Sequence, residues 1–140
     1  MVEKYYLDAC IWIDYYEDRS GQGGRPLGYY AGKLFMKLVL EHAELLISDI
    51  LIKDIQSAIS KEDIENMLQV IGTLVKISKI SAKKEQLEEA KNLADERKVP
   101  LNDAVHAVIA RANKAILISQ DNHYRRLKDI TEAKRPEEIT

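Results

Sequence analysis

The residues best suited to chemistry in this sequence are aspartates that stand at the ends of apolar segments. Asp8 lies between two apolar runs in KYYLDACIWIDYY, Asp121 follows AILIS, and Asp54 and Asp103 lie in segments between the apolar runs. A buried carboxylate is costly unless a partner offsets its charge, and neighbouring carboxylates raise one another's pKa. A hard cation with oxygen ligands relieves that repulsion. The acids therefore suggest a Mg²⁺ or Mn²⁺ site suited to phosphoryl chemistry, in which the metal activates a water.

Alternating strand and helix signals explain how acids so far apart in the chain can meet. Apolar runs and helix-start residues predict strands over 2–7, 44–48, 73–80 and 115–119, and helices over 10–18, 29–44, 49–60, 61–72, 82–98 and 103–114, with another helix or turn over 120–130. This order predicts an α/β fold with three α/β/α layers and a mainly parallel central sheet of four to five strands. Active sites in such sheets form beyond the carboxyl ends of the strands, where these acids fall.

Each acid also has a simpler structural explanation. Asp8 and Asp121 are suited to capping the helices that follow them, and Asp49 to the N-cap of its helix. Asp103 follows Asn102, the expected N-cap, and would favour the helix dipole. Asp54 in mid-helix would ordinarily be solvated. Only the placement of four acids at one end of one sheet favours a shared site.

Composition limits the remaining classes of protein. The 140 residues fit one domain, predicted over 1–132, followed by a polar tail over 133–140 that we expect to fray. The single cysteine, Cys10, excludes an intrachain disulfide and suits a reducing compartment. Neither a signal peptide nor a membrane-spanning run is expected, so we predict a cytoplasmic location and no membrane partner. The glycine-rich residues 19–28 predict a mobile loop; they lack the Gly-Lys-Ser/Thr of a P-loop.

Four motifs in order resemble the PIN domain family, and within it the VapC-like toxin ribonucleases. YYLDACIWIDYY resembles the family's start, where a strand ends in an acid, and SDILIKDI resembles its second motif. VPLNDAVHAVIA resembles the third, in which an aspartate opens a helix of small residues, and LISQDNHYRRL resembles the fourth. The resemblance covers nearly the whole chain.

The resemblance implies a Mg²⁺- or Mn²⁺-dependent endoribonuclease, a homodimer and inhibition by an antitoxin protein. By motif position it assigns the metal to Asp8, Asp54, Asp103 and Asp121, and a supporting or water-positioning hydroxyl to Ser119. Asp54 departs from the family, which usually has the longer glutamate there. Cys10 replaces a commoner small polar residue and is expected to pack, because the family chemistry needs no cysteine.

Basic and aromatic residues near the motifs are candidate RNA contacts. A local basic rim is expected from Arg19, Arg25, Lys53, Arg125 and Arg126. Tyr124 fits a core position better than a base-stacking position. Some of the aromatic residues of the first two helices are expected at a dimer or antitoxin surface, the set being Trp12, Tyr15, Tyr16, Tyr29, Tyr30 and Phe35.

Other polar residues are expected outside the chemistry. We expect His106 to be packed or partly exposed, His42 to favour a helix C-terminus, and Asp14 to be solvated. His123, two residues beyond Asp121, suits a surface or capping role at least as well as a phosphate contact.

Two hypotheses follow. The first is a ribonuclease that hydrolyses phosphodiester bonds with a metal-activated water. The second, motivated by Asp54, is a catalytically weak or inactive scaffold of the same fold that binds a partner protein or RNA. A phospho-acceptor domain is disfavoured because the third predicted strand ends without an acid.

Overall fold

The computed structural model describes residues 2–140 and contains one parallel sheet with helices on both faces. The elements in chain order are β1 (Lys4–Leu7), α1 (Ala9–Glu17), α2 (Leu27–Leu40), β2 (Glu44–Ser48), α3 (Asp49–Ile55), α4 (Lys61–Gly72), β3 (Lys76–Ile80), α5 (Lys84–Arg97), α6 (Leu101–Ala112), β4 (Ile116–Ile118) and α7 (Pro136–Ile139), with short 3₁₀ helices at Gln22–Gly24 and Asn122–Leu127. The predicted three-layer α/β/α class is confirmed.

The order of the strands across the sheet is β3-β2-β1-β4, and every pairing is parallel. Tyr6 stands beside Leu46 of β2 on one side and beside Leu117 of β4 on the other. The two central strands, β1 and β2, are almost fully buried, as expected of parallel strands covered on both faces. Since β1 and β4 are neighbours, the residues that follow them emerge side by side.

The core around the sheet explains why the site segments hold their positions. Trp12 and Ile11 of α1 and Leu34 and Leu38 of α2 are completely buried. Trp12 also donates its indole N–H to the Leu7 carbonyl oxygen, at 3.2 Å. This bond ties the start of α1 to the end of β1, so the turn containing Asp8 is held from both sides.

Several boundaries differ from the predicted ones because side chains outside the local pattern decide them. Pro100 precedes the first residue of α6, so Asn102 lies inside the helix and does not cap it. Ser48 caps α3 by accepting the Leu51 N–H, which leaves Asp49 in the first turn. β3 begins at Lys76, three residues later than predicted, because α4 and the turn after it occupy the preceding segment.

The polar tail is docked, and the expectation that it frays was wrong. Lys134 exchanges backbone hydrogen bonds with Leu117 and Ser119, both at 2.9 Å, beside β4. Pro136 is buried, and α7 packs against α2. The tail therefore covers the outer edge of the sheet next to β4.

Within residues 2–140, no helix is both long enough and apolar enough to cross a bilayer.

Candidate metal site

The four predicted acids line one groove at the carboxyl end of the sheet. Its walls contain Asp8, Asp54, Asp103 and Asp121, and its rim carries Arg19 and Lys53. Asp8 follows β1, Asp121 follows β4, Asp54 lies in the last turn of α3, and Asp103 lies in the first turn of α6. The sheet order brings the first two together, and the helices that pack beside it supply the others.

Asp8 is buried, and both of its carboxylate oxygens are already oriented by hydrogen bonds. Oδ1 accepts from the Ala9 N–H at 2.7 Å, so Asp8 does cap α1. Oδ2 accepts from the Ser119 hydroxyl at 2.9 Å. Ser119 Oγ in turn accepts the Asp121 N–H at 3.0 Å. Ser119 thus connects the acids that follow the two neighbouring strands.

The Cys10 thiol lies beside this group but is poorly suited to react. Its Sγ atom is 3.4 Å from Ser119 Oγ and 3.9 Å from Asp8 Oδ2. Burial, with the nearby Asp8 carboxylate, raises the pKa of Cys10 to about 12. A thiol that stays protonated near neutral pH is a weak nucleophile, in agreement with the expected packing role.

Asp103, Asp121 and His123 form the tightest cluster of potential ligands. Each offers one ligand atom, and these atoms all lie within 4.8 Å of one another. His123 Nδ1 is 2.9 Å from Asp121 Oδ1 and 3.1 Å from Asp103 Oδ2. Burial raises the pKa of Asp103 to about 7, with further contributions from Asp121 and Asp8. Ionising all the carboxyl groups of this cluster therefore destabilises the folded protein when no cation is bound.

Both carboxylate oxygens of Asp54 are bound by neighbouring side chains. His106 Nε2 is 2.7 Å from Asp54 Oδ2, and Asn102 Nδ2 is 2.5 Å from Asp54 Oδ1. Both neighbours belong to α6, and His106 is completely buried. Asp54 is therefore not a freely solvated side chain. His106 was expected to be packed or partly exposed, and it is packed. Its bond to Asp54 was not predicted.

The residues present fit a hard divalent cation. Carboxylate oxygens are the ligands that Mg²⁺ and Mn²⁺ prefer, and three of the four acids of the groove offer them close together. The Tyr124 hydroxyl is buried near Asp8 and Asp103, and within residues 2–140 no group meets it in good hydrogen-bond geometry. Burial, followed by Asp8 and Asp103, raises the pKa of Tyr124 well above its ordinary value. A hydrated cation would offset the acids and give this hydroxyl a water as partner.

Two of the five basic residues predicted to contact RNA are bonded to other parts of the fold. Arg25 pairs with Glu137 of α7 and donates to Gln120 Oε1. Arg126 donates to the backbone carbonyl oxygens of Arg97 and Lys98. Arg125 lines a separate cavity with Lys128 and Arg135, next to Asp121. Arg19 and Lys53 alone among the five reach the acidic groove.

The expectation that Asp14 is solvated was wrong. Asp14 is 1% exposed, and its Oδ1 atom is 3.0 Å from Arg19 Nε. Burial raises the pKa of Asp14 despite the pairing. Arg19 therefore serves both as the partner of a buried acid and as part of the groove rim. Asp14 and Arg19 are five residues apart, and only i,i+3 and i,i+4 pairs face one another on a helix. The sequence pattern therefore did not predict this ion pair.

Comparison with known proteins identifies the family. The sequence model of the PIN domain matches residues 5–130, so the chain belongs to the PIN domain family. A search of curated proteins found no significant match.

Solved structures share the fold at low identity. A toxin–antitoxin complex from Klebsiella pneumoniae is 20% identical, with a TM-score of 0.64 over 94% of this chain and 97% of that one. VapBC-1 from nontypeable Haemophilus influenzae is 18% identical, with a TM-score of 0.64 over 96% and 98%. VapBC2 from Rickettsia felis, bound to a promoter DNA fragment, is 16% identical, with a TM-score of 0.62 over 94% and 96%.

Replacing Asp103 with asparagine is expected to stabilise the metal-free protein. At pH 8 the folded wild type must carry an ionised Asp103 beside Asp121 and Asp8, whereas asparagine keeps the shape without the charge. Removing such repulsion should raise the metal-free melting temperature by several degrees, about 1 kcal/mol of unfolding free energy. Scanning calorimetry after chelator treatment measures the change.

The exposed Asp95 of α5 provides the control for this prediction. Asp95→Asn should leave the melting temperature unchanged, and excess Mn²⁺ should stabilise wild type more than Asp103→Asn. A less stable metal-free Asp103→Asn protein would contradict the assignment of repulsion to this cluster.

Proposed function

We propose that this protein is a divalent-metal-dependent endoribonuclease, the toxin of a toxin–antitoxin pair. The observation that carries the proposal is the convergence of four acids from separate segments on one groove, in a chain of the PIN domain family. Asp8, Asp103 and Asp121 hold Mg²⁺ or Mn²⁺, with Asp54 assisting directly or through water. His123 Nδ1 lies within hydrogen-bond distance of Asp103 and Asp121, so we assign His123 to orienting these two carboxylates. When bound, the ion lowers the pKa of a water and offsets negative charge on phosphate oxygens.

The chain's own residues orient the site and attract the substrate. Ser119 fixes Asp8 and the backbone of Asp121, so two ligands keep their geometry before any ion arrives. Lys53 and Arg19 at the rim contact the phosphates that flank the scissile bond, since cations guide a polyanion to an acidic pit. Arg25 and Arg126 are given no RNA role, because neither lines the acidic groove and each is bonded to another part of the fold.

A partner surface lies beside α1 and α4, away from the acids. Tyr15 and Tyr16 of α1 are 43% and 46% exposed, and Val70 of α4 is 64% exposed. Together with Met67 and Asp63 they line an apolar groove of about 300 Å³. Aromatic and apolar side chains are enriched at protein interfaces, and no lysine or arginine among residues 2–140 lines this groove. We assign it to an antitoxin. The similar structures include a toxin–antitoxin complex and VapBC-1, which supports a partner of this kind.

Asp8→Asn should abolish RNA cleavage without unfolding the protein. Asparagine can still cap α1 through its Oδ1 atom, and its Nδ2 amide can donate to the Ser119 hydroxyl oxygen, but it supplies no negative charge. We expect the rate of cleavage of a single-stranded RNA in Mn²⁺ to fall at least about 100-fold, with an unchanged circular dichroism spectrum. EDTA should abolish the wild-type activity.

The matched control is Asp49→Asn, which also removes an acid after a strand but one that does not line the groove. Its activity should equal that of the wild type. Full wild-type activity in EDTA would refute the metal-dependent mechanism. A wild type that neither binds Mn²⁺ by calorimetry nor cleaves RNA would support the scaffold hypothesis instead.

Val70→Glu should separate partner binding from catalysis. A charge on this apolar surface is expected to weaken inhibition by the cognate antitoxin at least about tenfold, while RNA cleavage by the isolated protein stays unchanged. Glu88→Gln, on α5 and remote from both grooves, is the control. Equal inhibition of Val70→Glu and wild type would place the antitoxin on another surface.

A further inference from the structure

A chain of buried hydrogen bonds runs from the sheet to the candidate site. Ser48 Oγ accepts the Leu51 N–H at 3.1 Å and lies 2.7 Å from the Tyr6 hydroxyl oxygen. That oxygen lies 2.7 Å from His106 Nδ1, and His106 Nε2 lies 2.7 Å from Asp54 Oδ2. Ser48, Tyr6 and His106 are buried and sit on β2, β1 and α6. Such a chain is costly unless every donor finds an acceptor.

Only one direction of donation satisfies every member. An ionised Asp54 carboxylate can only accept, so the short contact requires a proton on His106 Nε2. A neutral ring then presents an acceptor at Nδ1, and the Tyr6 hydroxyl must donate to it. The Tyr6 oxygen is left to accept from the Ser48 hydroxyl, which has no other acceptor among the hydrogen bonds of residues 2–140. The chain therefore fixes both the tautomer and the plane of the imidazole.

Asp54 receives its geometry from this chain and from Asn102. Its two oxygens accept from residues one helical turn apart on α6, although Asp54 itself belongs to α3. His106 Nε2 is also 4.0 Å from Asp8 Oδ1, so the N–H group stands close to two acids of the groove. The same α6 carries Asp103 in its first turn.

We propose that His106 is a positioning residue: fixed as the Nε2–H tautomer by Tyr6 and Ser48, it holds Asp54 in the orientation that the metal site uses. The effect on catalysis rests on the proposed function, whereas the tautomer and the hold on Asp54 do not. His106 is completely buried and does not line the acidic groove, so it acts through Asp54. Residues that orient ligands in this way typically change metal affinity or activity by about 10- to 100-fold.

The first test is the tautomer itself, read from ¹⁵N and ¹³C chemical shifts of histidine-labelled, metal-free protein at pH 7.5. His106→Leu assigns the signal among the three histidines. The Nε2–H tautomer is expected in the wild type. Tyr6→Phe removes the donor to Nδ1 and should shift these signals. Tyr5→Phe is the matched control, because the Tyr5 hydroxyl bonds Glu41 instead. An Nδ1–H tautomer in the wild type would overturn the proposal.

The second test is a double-mutant cycle on Asp54 and His106, with Mn²⁺ affinity and the separate values of kcat and KM as readouts. Asp54→Asn and His106→Leu should each lower Mn²⁺ affinity or kcat by about tenfold or more, with KM for RNA nearly unchanged. If His106 acts through Asp54, the double variant should lose no more than Asp54→Asn alone. Additive losses would overturn the proposal.

A conservative variant keeps this test decisive if His106→Leu folds poorly. His106→Gln retains an N–H donor for Asp54 and should recover most of the Mn²⁺ affinity, and Tyr6→Phe should lie between it and His106→Leu. If His106→Gln is as impaired as His106→Leu, the proposal fails. If the wild type binds no Mn²⁺ and cleaves no RNA, the proposed function fails, and the chemical shifts still decide whether His106 holds Asp54.

Discussion

Mutual repulsion among carboxylates is the constraint on which this structure depends. Parallel strands end at the same edge of a sheet, so the acids after β1 and β4 emerge together whether or not that is favourable. The cost is visible at Asp103, where burial and two neighbouring acids raise the pKa to about 7. Much of the local structure offsets this charge. Ala9 and Ser119 donate to Asp8, and His123 Nδ1 lies between Asp103 and Asp121.

The helix α6 connects the acids to the rest of the fold. Asp103 in its first turn enters the cluster, while Asn102 and His106 reach across to Asp54 on α3. The helix also carries three small, completely buried residues, Ala104, Ala107 and Ala110, which allow close packing. A rigid, closely packed helix is suited to holding two acids at a fixed separation. Because α6 both reaches the acids and packs in the core, polar and apolar residues follow one another closely in LNDAVHAVIA.

The sequence was informative about Asp8 and Asp121 because their positions depend on the order and direction of the strands that precede them. An apolar run followed by an acid is visible in one sequence, and parallel pairing then determines on which edge it lies. Contacts between side chains that are far apart in the chain cannot be predicted from the sequence in this way. His106 and Asp54 are 52 positions apart in the chain, and Arg25 and Glu137 are 112 apart, so no periodicity reports either contact. The docked tail was missed for the same reason: its polar composition resembles a fraying terminus, yet backbone hydrogen bonds to β4 and the burial of Pro136 hold it.

The most direct test of the account is a crystal structure of the wild-type protein soaked with Mn²⁺, with data collected at the manganese absorption edge. The central claim is that one divalent cation makes the convergence of the acids tolerable. It predicts a single strong anomalous peak within coordination distance of Asp8, Asp103 and Asp121, with Asp54 still bonded to His106. An empty groove at saturating Mn²⁺, or an ion bound elsewhere while these acids point apart, would contradict it.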